Sequence, residues 1–213
     1  MTNQTKDQHW EQQSLEKRML YVMEHLIDDY GYPVNGAAGV VGNLVAESGV
    51  IPNRIEGSAP GTPMRSQNFA GAVVNHTPQA IMNRNSAQHV GPARPGIGLA
   101  QWTAPPRRAG LFSHPFDGGG GLGANAVFSM DDQIDYLADE IHDVYAGVNA
   151  FLKKSTVQVN DACDEVVYNY EVPGAIIQGG SRLPRSDPRV RDVFAKRRPS
   201  AQAALNAYRA AHP

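Results

Sequence analysis

A mainly helical fold organised as one domain is what the sequence predicts, and three observations carry that reading. Apolar residues recur at three-and-four spacing in several segments, glycine and proline stand where those segments must stop, and no internal repeat is evident. The chain has 213 residues, 41% of them hydrophobic and 19% charged, which suits a globular domain able to bury a core without disulfides or metals.

The elements follow in order. Leu15, Met19, Val22, Met23, Leu26, Ile27 and Tyr30 make one helical stripe, stopped by Gly31 with Pro33 behind it. Ala37, Val40, Val41, Leu44 and Val45 make a shorter stripe that ends at Gly49, a good left-handed cap, with Pro52 preventing continuation. Residues 57 to 98 are rich in Gly, Pro, Ser and Asn, and read as a long loop region with one short helix near Pro78 to Asn83. A second irregular patch covers Ser113 to Gly123. Behind a Ser129 cap, Ile134, Leu137, Ile141, Val144 and Tyr145 lie on one helical face. A further helix is expected over Asn160 to Tyr170. Asp187 and Pro188 open a last helical stretch to about residue 211, with a break before Pro199 left open.

Several functional classes drop out on composition. The net charge is −2 with acids and bases interspersed, so no polybasic surface recommends nucleic acid or an anionic membrane. No stretch approaches the ~20 apolar residues of a membrane span, and the N-terminus lacks the basic start and apolar run of a secretory signal. The single Cys163 cannot form an intramolecular disulfide. The seven histidines show no metal-ligand spacing, so no metal or other cofactor is expected. Gly118, Gly120 and Gly123 match a dinucleotide-binding pattern only formally, since no strand-like run precedes them.

Two segments carry chemistry. Positions 37, 40, 44 and 47 share a helical face, so the Glu47 carboxyl continues an apolar stripe at the negative end of a helix dipole. Both circumstances favour the protonated form, which is what a general acid needs. An exposed helix-end Glu is the bland alternative. Gly96 to Trp102, GIGLAQW, combines small residues that let a backbone pass close to a ligand with an amide and a flat indole. Sugars suit such a surface, and a turn with a buried Trp is the structural alternative.

Together AGVVGNLVAESGVIPN (Ala38 to Asn53), GIGLAQWTAPPRRAGL (Gly96 to Leu111) and VVYNYEVPGA (Val166 to Ala175) resemble the phage tail lysozyme family. More remotely they are similar to goose-type lysozymes and soluble lytic transglycosylases. The resemblance implies a lysozyme-like fold over 1–213 with a loop insertion at about 57–96 and a C-terminal helical extension at about 187–211. It implies a muramidase that cuts peptidoglycan glycan strands, with Glu47 as catalytic acid and Ser48 beside it as a substrate-binding residue. Gln101 and Trp102 would line the saccharide cleft, and Tyr168 or Tyr170 would point a hydroxyl toward the acid.

The stretch between Glu47 and GLAQW is roughly twice that usual in relatives. From Gly57 through Phe116 there is no acid, while Arg65, Arg84, Arg94, Arg107 and Arg108 are all present and suit the carboxylates of peptidoglycan. A solvated basic loop is the alternative. For a second catalytic carboxylate Glu56 ranks first and Glu171 second; if neither serves, water or the substrate's own N-acetyl or 6-hydroxyl group completes the reaction, the last giving an anhydro product. A cell-wall amidase or peptidase built on Cys163 and His142, and a silent wall-binding or structural tail module, are the rival functions. The protein is expected to act at the bacterial cell wall after delivery by a virion, an injection or a secretion apparatus. A protein of that apparatus or an inhibitor protein is a possible partner.

Overall fold

The computed structural model describes residues 9–68, 70–83 and 96–213, and it is mainly helical. In chain order the helices are α1 (Leu15–Asp28), α2 (Val34–Ser48), α3 (Pro78–Asn83), α4 (Pro105–Ser113), α5 (Met130–Asp143), α6 (Ala146–Leu152), α7 (Val159–Val166) and α8 (Pro188–Ala211). Two small antiparallel hairpins accompany them: β1 (Arg65–Gln67) with β2 (Val73–Asn75), and β3 (Ile177–Gln178) with β4 (Ser181–Arg182). Contacts divide the chain into two compact units, Met1–Ser14 with Glu47–Leu137, and Leu15–Ala46 with Ala138–Pro213. The first is rich in loops and the second almost all helix.

In the helical unit the periodic stripes become core. Val22, Met23, Leu26, Val40, Val41, Leu44, Ile141 and Leu152 are at most 4% exposed, and each such side chain contributes about 1.5–3 kcal/mol relative to exposure. Three glycines let α2 approach its neighbours at backbone distance. A Cβ at Gly39 would lie 2.5 Å from the Ala162 Cβ of α7, one at Gly42 2.5 Å from the Ala201 backbone of α8, and one at Gly36 2.3 Å from the Leu152 carbonyl.

Helix α8 runs unbroken through Pro199. An interior proline costs about 3 kcal/mol or more, but Val190 and Phe194 before it and Ala201, Ala204 and Leu205 after it are all buried. That burial, at about 1.5–3 kcal/mol for each large side chain, outweighs the lost bond. Asp187 caps the helix by accepting from the Arg189 N–H. The helix expected over Asn160–Tyr170 ends early: α7 stops at Val166, a π-turn covers Val167–Glu171, and Val172 closes it with φ 47°.

In the loop-rich unit Val50, Ile51, Ile55, Ile97, Leu99, Trp102, Leu111, Val127 and Ile134 are at most 1% exposed. The region read as loop contains α3, as expected, and also the β1–β2 hairpin, whose short strands have little alternation to reveal them. Helix α4 was not foreseen. Pro105 and Pro106 occupy its first turn, where their missing N–H groups cost nothing. The Ser129 cap is present, its hydroxyl accepting from the Asp132 N–H. Helix α5 stops at Asp143, short of the Val144 and Tyr145 assigned to its stripe.

Candidate functional site

Helix α2 delivers Glu47 in its final turn, half-buried, with Ser48 buried beside it. The exit is abrupt: Gly49 has φ 67° and Val50 φ 56°. A β-branched residue in the left-handed region is strained. Val50 is wholly buried, as is Ile51, so apolar burial holds the reversal that carries the chain from Glu47 to Pro52 and Arg54.

The next segment pairs with the GIGLAQW turn. The Glu56 N–H donates to the Gly96 carbonyl at 2.8 Å, the Gly98 N–H to Arg54 at 2.9 Å, and the Trp102 N–H to Ile97 at 2.9 Å. The Glu56 side chain joins the same ladder, its Oε2 accepting from the Gly96 N–H at 2.9 Å. Gly98 (φ 77°) and Gln101 (φ 46°) make the tight turn. The amide of Gln101 donates to the Arg54 and Gly98 carbonyls at 3.1 and 2.9 Å. Both of its donors are spent, so what it can present to a ligand is an acceptor oxygen.

Trp102 corrects an expectation. Its indole is 0% exposed and packs on Tyr136 at a centroid distance of 5.2 Å. It is a wall of the core, because a fully buried ring has no face left for a sugar. Among the arginines, Arg108 is fully buried and donates to the Ile81 carbonyl at 2.8 Å, which makes it a core group that cannot grip substrate. Arg65 is exposed and donates to Asn75. Arg84 and Arg94 lie outside the described residues. Arg54, not singled out by sequence, is a half-buried cation on the Glu56 ladder, and its guanidinium donates to Ser58; burial lowers its pKa.

Two further groups of this unit escaped the sequence. Gln133 is 0% exposed on α5 and hydrogen-bonds three separate segments. Asp132, also 0% exposed, has no hydrogen-bond partner on either oxygen. Burial pushes its carboxyl up to about 7, against the opposing charge of His114 and with the help of Asp135. His114 and Asp135 approach to 3.1 Å. The signal for Gln133 was available: it interrupts a stripe of Met130, Ile134, Leu137 and Ile141 at a position on the same face.

Tyr168 and Tyr170 belong to the helical unit, as does Glu171. The Tyr170 hydroxyl donates to Glu140 at 2.6 Å, and its ring meets Tyr145 edge-on. The Tyr168 hydroxyl donates to the Leu183 carbonyl at 2.8 Å, with the Arg185 and Arg182 guanidiniums 4.5 and 5.2 Å from its ring centroid. Each phenol has one proton to give, and within this unit Leu183 and Glu140 accept them. Asn169 accepts from Arg182 and donates to Glu165.

Cys163 is buried against Asn43, and burial pushes its thiol up to about 12. The thiolate a nucleophile needs is thereby suppressed. His142, the base proposed for it, is exposed and paired with Asp143.

The model of one protein family matches residues 17–208, nearly the whole chain. The chain belongs to the phage tail lysozyme family. The match runs through all three segments that carried the resemblance and assigns to the chain a lysozyme-like, cell-wall lytic character in general terms. No curated protein and no solved structure matches it. Among the described residues no helix is long and apolar enough to cross a membrane.

Proposed function

We propose that this phage tail lysozyme is a muramidase that cleaves the β-1,4 bond between N-acetylmuramic acid and N-acetylglucosamine, with Glu47 as general acid. The observation that carries the reading is local. The half-buried carboxyl at the end of α2 is followed by a strained reversal, and that reversal leads directly into the segment hydrogen-bonded to the GIGLAQW turn. Strained backbone persists only where the surroundings over-determine it, and it concentrates at active sites. In this scheme Glu47 protonates the leaving oxygen. Gln101 offers its acceptor oxygen to a hydroxyl or an acetamido N–H, and Ser48 supports the helix end. Glu56, tied to the Gly96 N–H, is the first choice for the second carboxylate. Tyr168 and Tyr170 act by shaping the π-turn segment, with their hydroxyl protons engaged elsewhere. Among the described residues of this region, Arg54, Arg65 and Arg107 are the arginines proposed to meet the anionic wall. The protein works at the cell wall, carried there by a phage tail or a related injection or secretion apparatus.

Mass spectrometry of saccharides released from purified peptidoglycan by wild type and Glu47→Gln tests the proposal. Release by wild type alone supports it. Hydrated reducing ends mark a hydrolase and anhydro ends a transglycosylase. Binding to the wall without release by either protein replaces it with a silent wall-binding module.

A further inference from the structure

Gln133 lies outside every motif that carried the family resemblance, yet its side chain joins three segments far apart in sequence. Its Oε1 accepts from the Leu99 N–H at 2.9 Å, inside the GIGLAQW turn. Its Nε2 donates to the Pro52 carbonyl at 2.9 Å, on the segment leaving Glu47, and to the Ala126 carbonyl at 2.8 Å, just ahead of α5. The turn is moulded around it, since a Cβ at Gly98 would lie 2.5 Å from Oε1. The side chain is 0% exposed, so no water can replace these bonds.

We propose that Gln133 is a positioning residue for the candidate site, holding the exit of the Glu47 helix and the Gln101 turn at one fixed separation. The inference rests on the function proposed above. Only a carboxamide satisfies the two carbonyls and the one N–H together: a carboxylate offers no donor, and an apolar side chain offers neither donor nor acceptor. Loss of the clamp leaves Pro52 and Leu99 free to shift relative to each other. A misplacement of ~1 Å remote from the chemistry costs about a hundredfold in rate.

The test compares Gln133→Glu and Gln133→Met with wild type on a soluble glycan fragment of peptidoglycan. kcat and KM are measured per folded molecule, with folding followed by circular dichroism. The expected result is a folded protein whose kcat falls about a hundredfold while KM changes little, because alignment of the acid matters in the transition state and glycan binding draws on many contacts. A merely structural role would lower the folded fraction and leave kcat per folded molecule intact. Unchanged kcat in either folded variant, with wild type active, overturns the inference alone. Loss of fold in both variants also overturns it, since Gln133 then holds up the unit and not the site. Absence of cleavage by wild type brings down the proposed function instead, and the inference with it.

Discussion

The two units are held by different physics. In the helical unit, close approach does the work: Gly36, Gly39 and Gly42 bring α2 within backbone contact of the α6 end, α7 and α8, and the gaps are filled by apolar side chains. In the loop-rich unit regular elements are short, and polar side chains span long sequence distances, as Gln133 does to Pro52 and Arg108 does to Ile81. Two of the non-glycine residues with positive φ among the described residues, Val50 and Gln101, flank its central ladder. A packed helical unit tolerates surface change and punishes added volume. A unit built on buried polar bonds punishes the loss of any one partner. Chemistry that needs fixed polar groups suits the second kind.

The largest effect expected is on chemistry. Glu47→Gln should lower saccharide release by about 10²–10⁴-fold, the usual worth of a general acid, with an unchanged melting temperature; an active variant would remove Glu47 from the mechanism. Next comes the pH dependence of the loop-rich unit. The Asp132 carboxyl stands at about 7 when folded against 3.8 as its ordinary value. Its contribution is therefore fully present below about 4 and is lost as pH rises toward 7. Asp132→Asn should remove that loss, gaining up to about 4 kcal/mol relative to wild type at pH 8 and little at pH 4. Parallel denaturation curves at the two pH values read this directly, and equal gains at both would contradict the assignment.

Gly39→Val addresses the helical unit. The added side chain meets Ala162 and the α7 backbone, with an expected loss of about 1–3 kcal/mol or more, measured by urea titration. A neutral result would mean α2 and α7 can separate, and that close approach is not what holds this unit. The smallest effect concerns Cys163. In the native state its thiol should resist iodoacetamide at pH 8, and Cys163→Ala should leave saccharide release unchanged. Rapid labelling of folded protein would show the core around Asn43 to be open.

By itself the sequence determined several of the helices well. The apolar spacing of α1, α2 and α5 and the caps at Gly31, Gly49, Ser129 and Asp187 are local facts, because a helix satisfies its own backbone and needs only a periodic face to bury. The order of AESG, GLAQW and YNYE likewise carried family membership over residues 17–208. Tertiary structure alone decided the rest. Whether α8 survives Pro199 depends on what Phe194 and Leu205 bury against. Whether Trp102 faces a sugar or the core depends on Tyr136. Where the Tyr168 and Tyr170 protons go depends on Leu183 and Glu140, and whether Arg108 meets solvent depends on Ile81. Each of these is a contact between residues distant in the chain, and burial and hydrogen bonding, unlike helical periodicity, have no local signature in sequence.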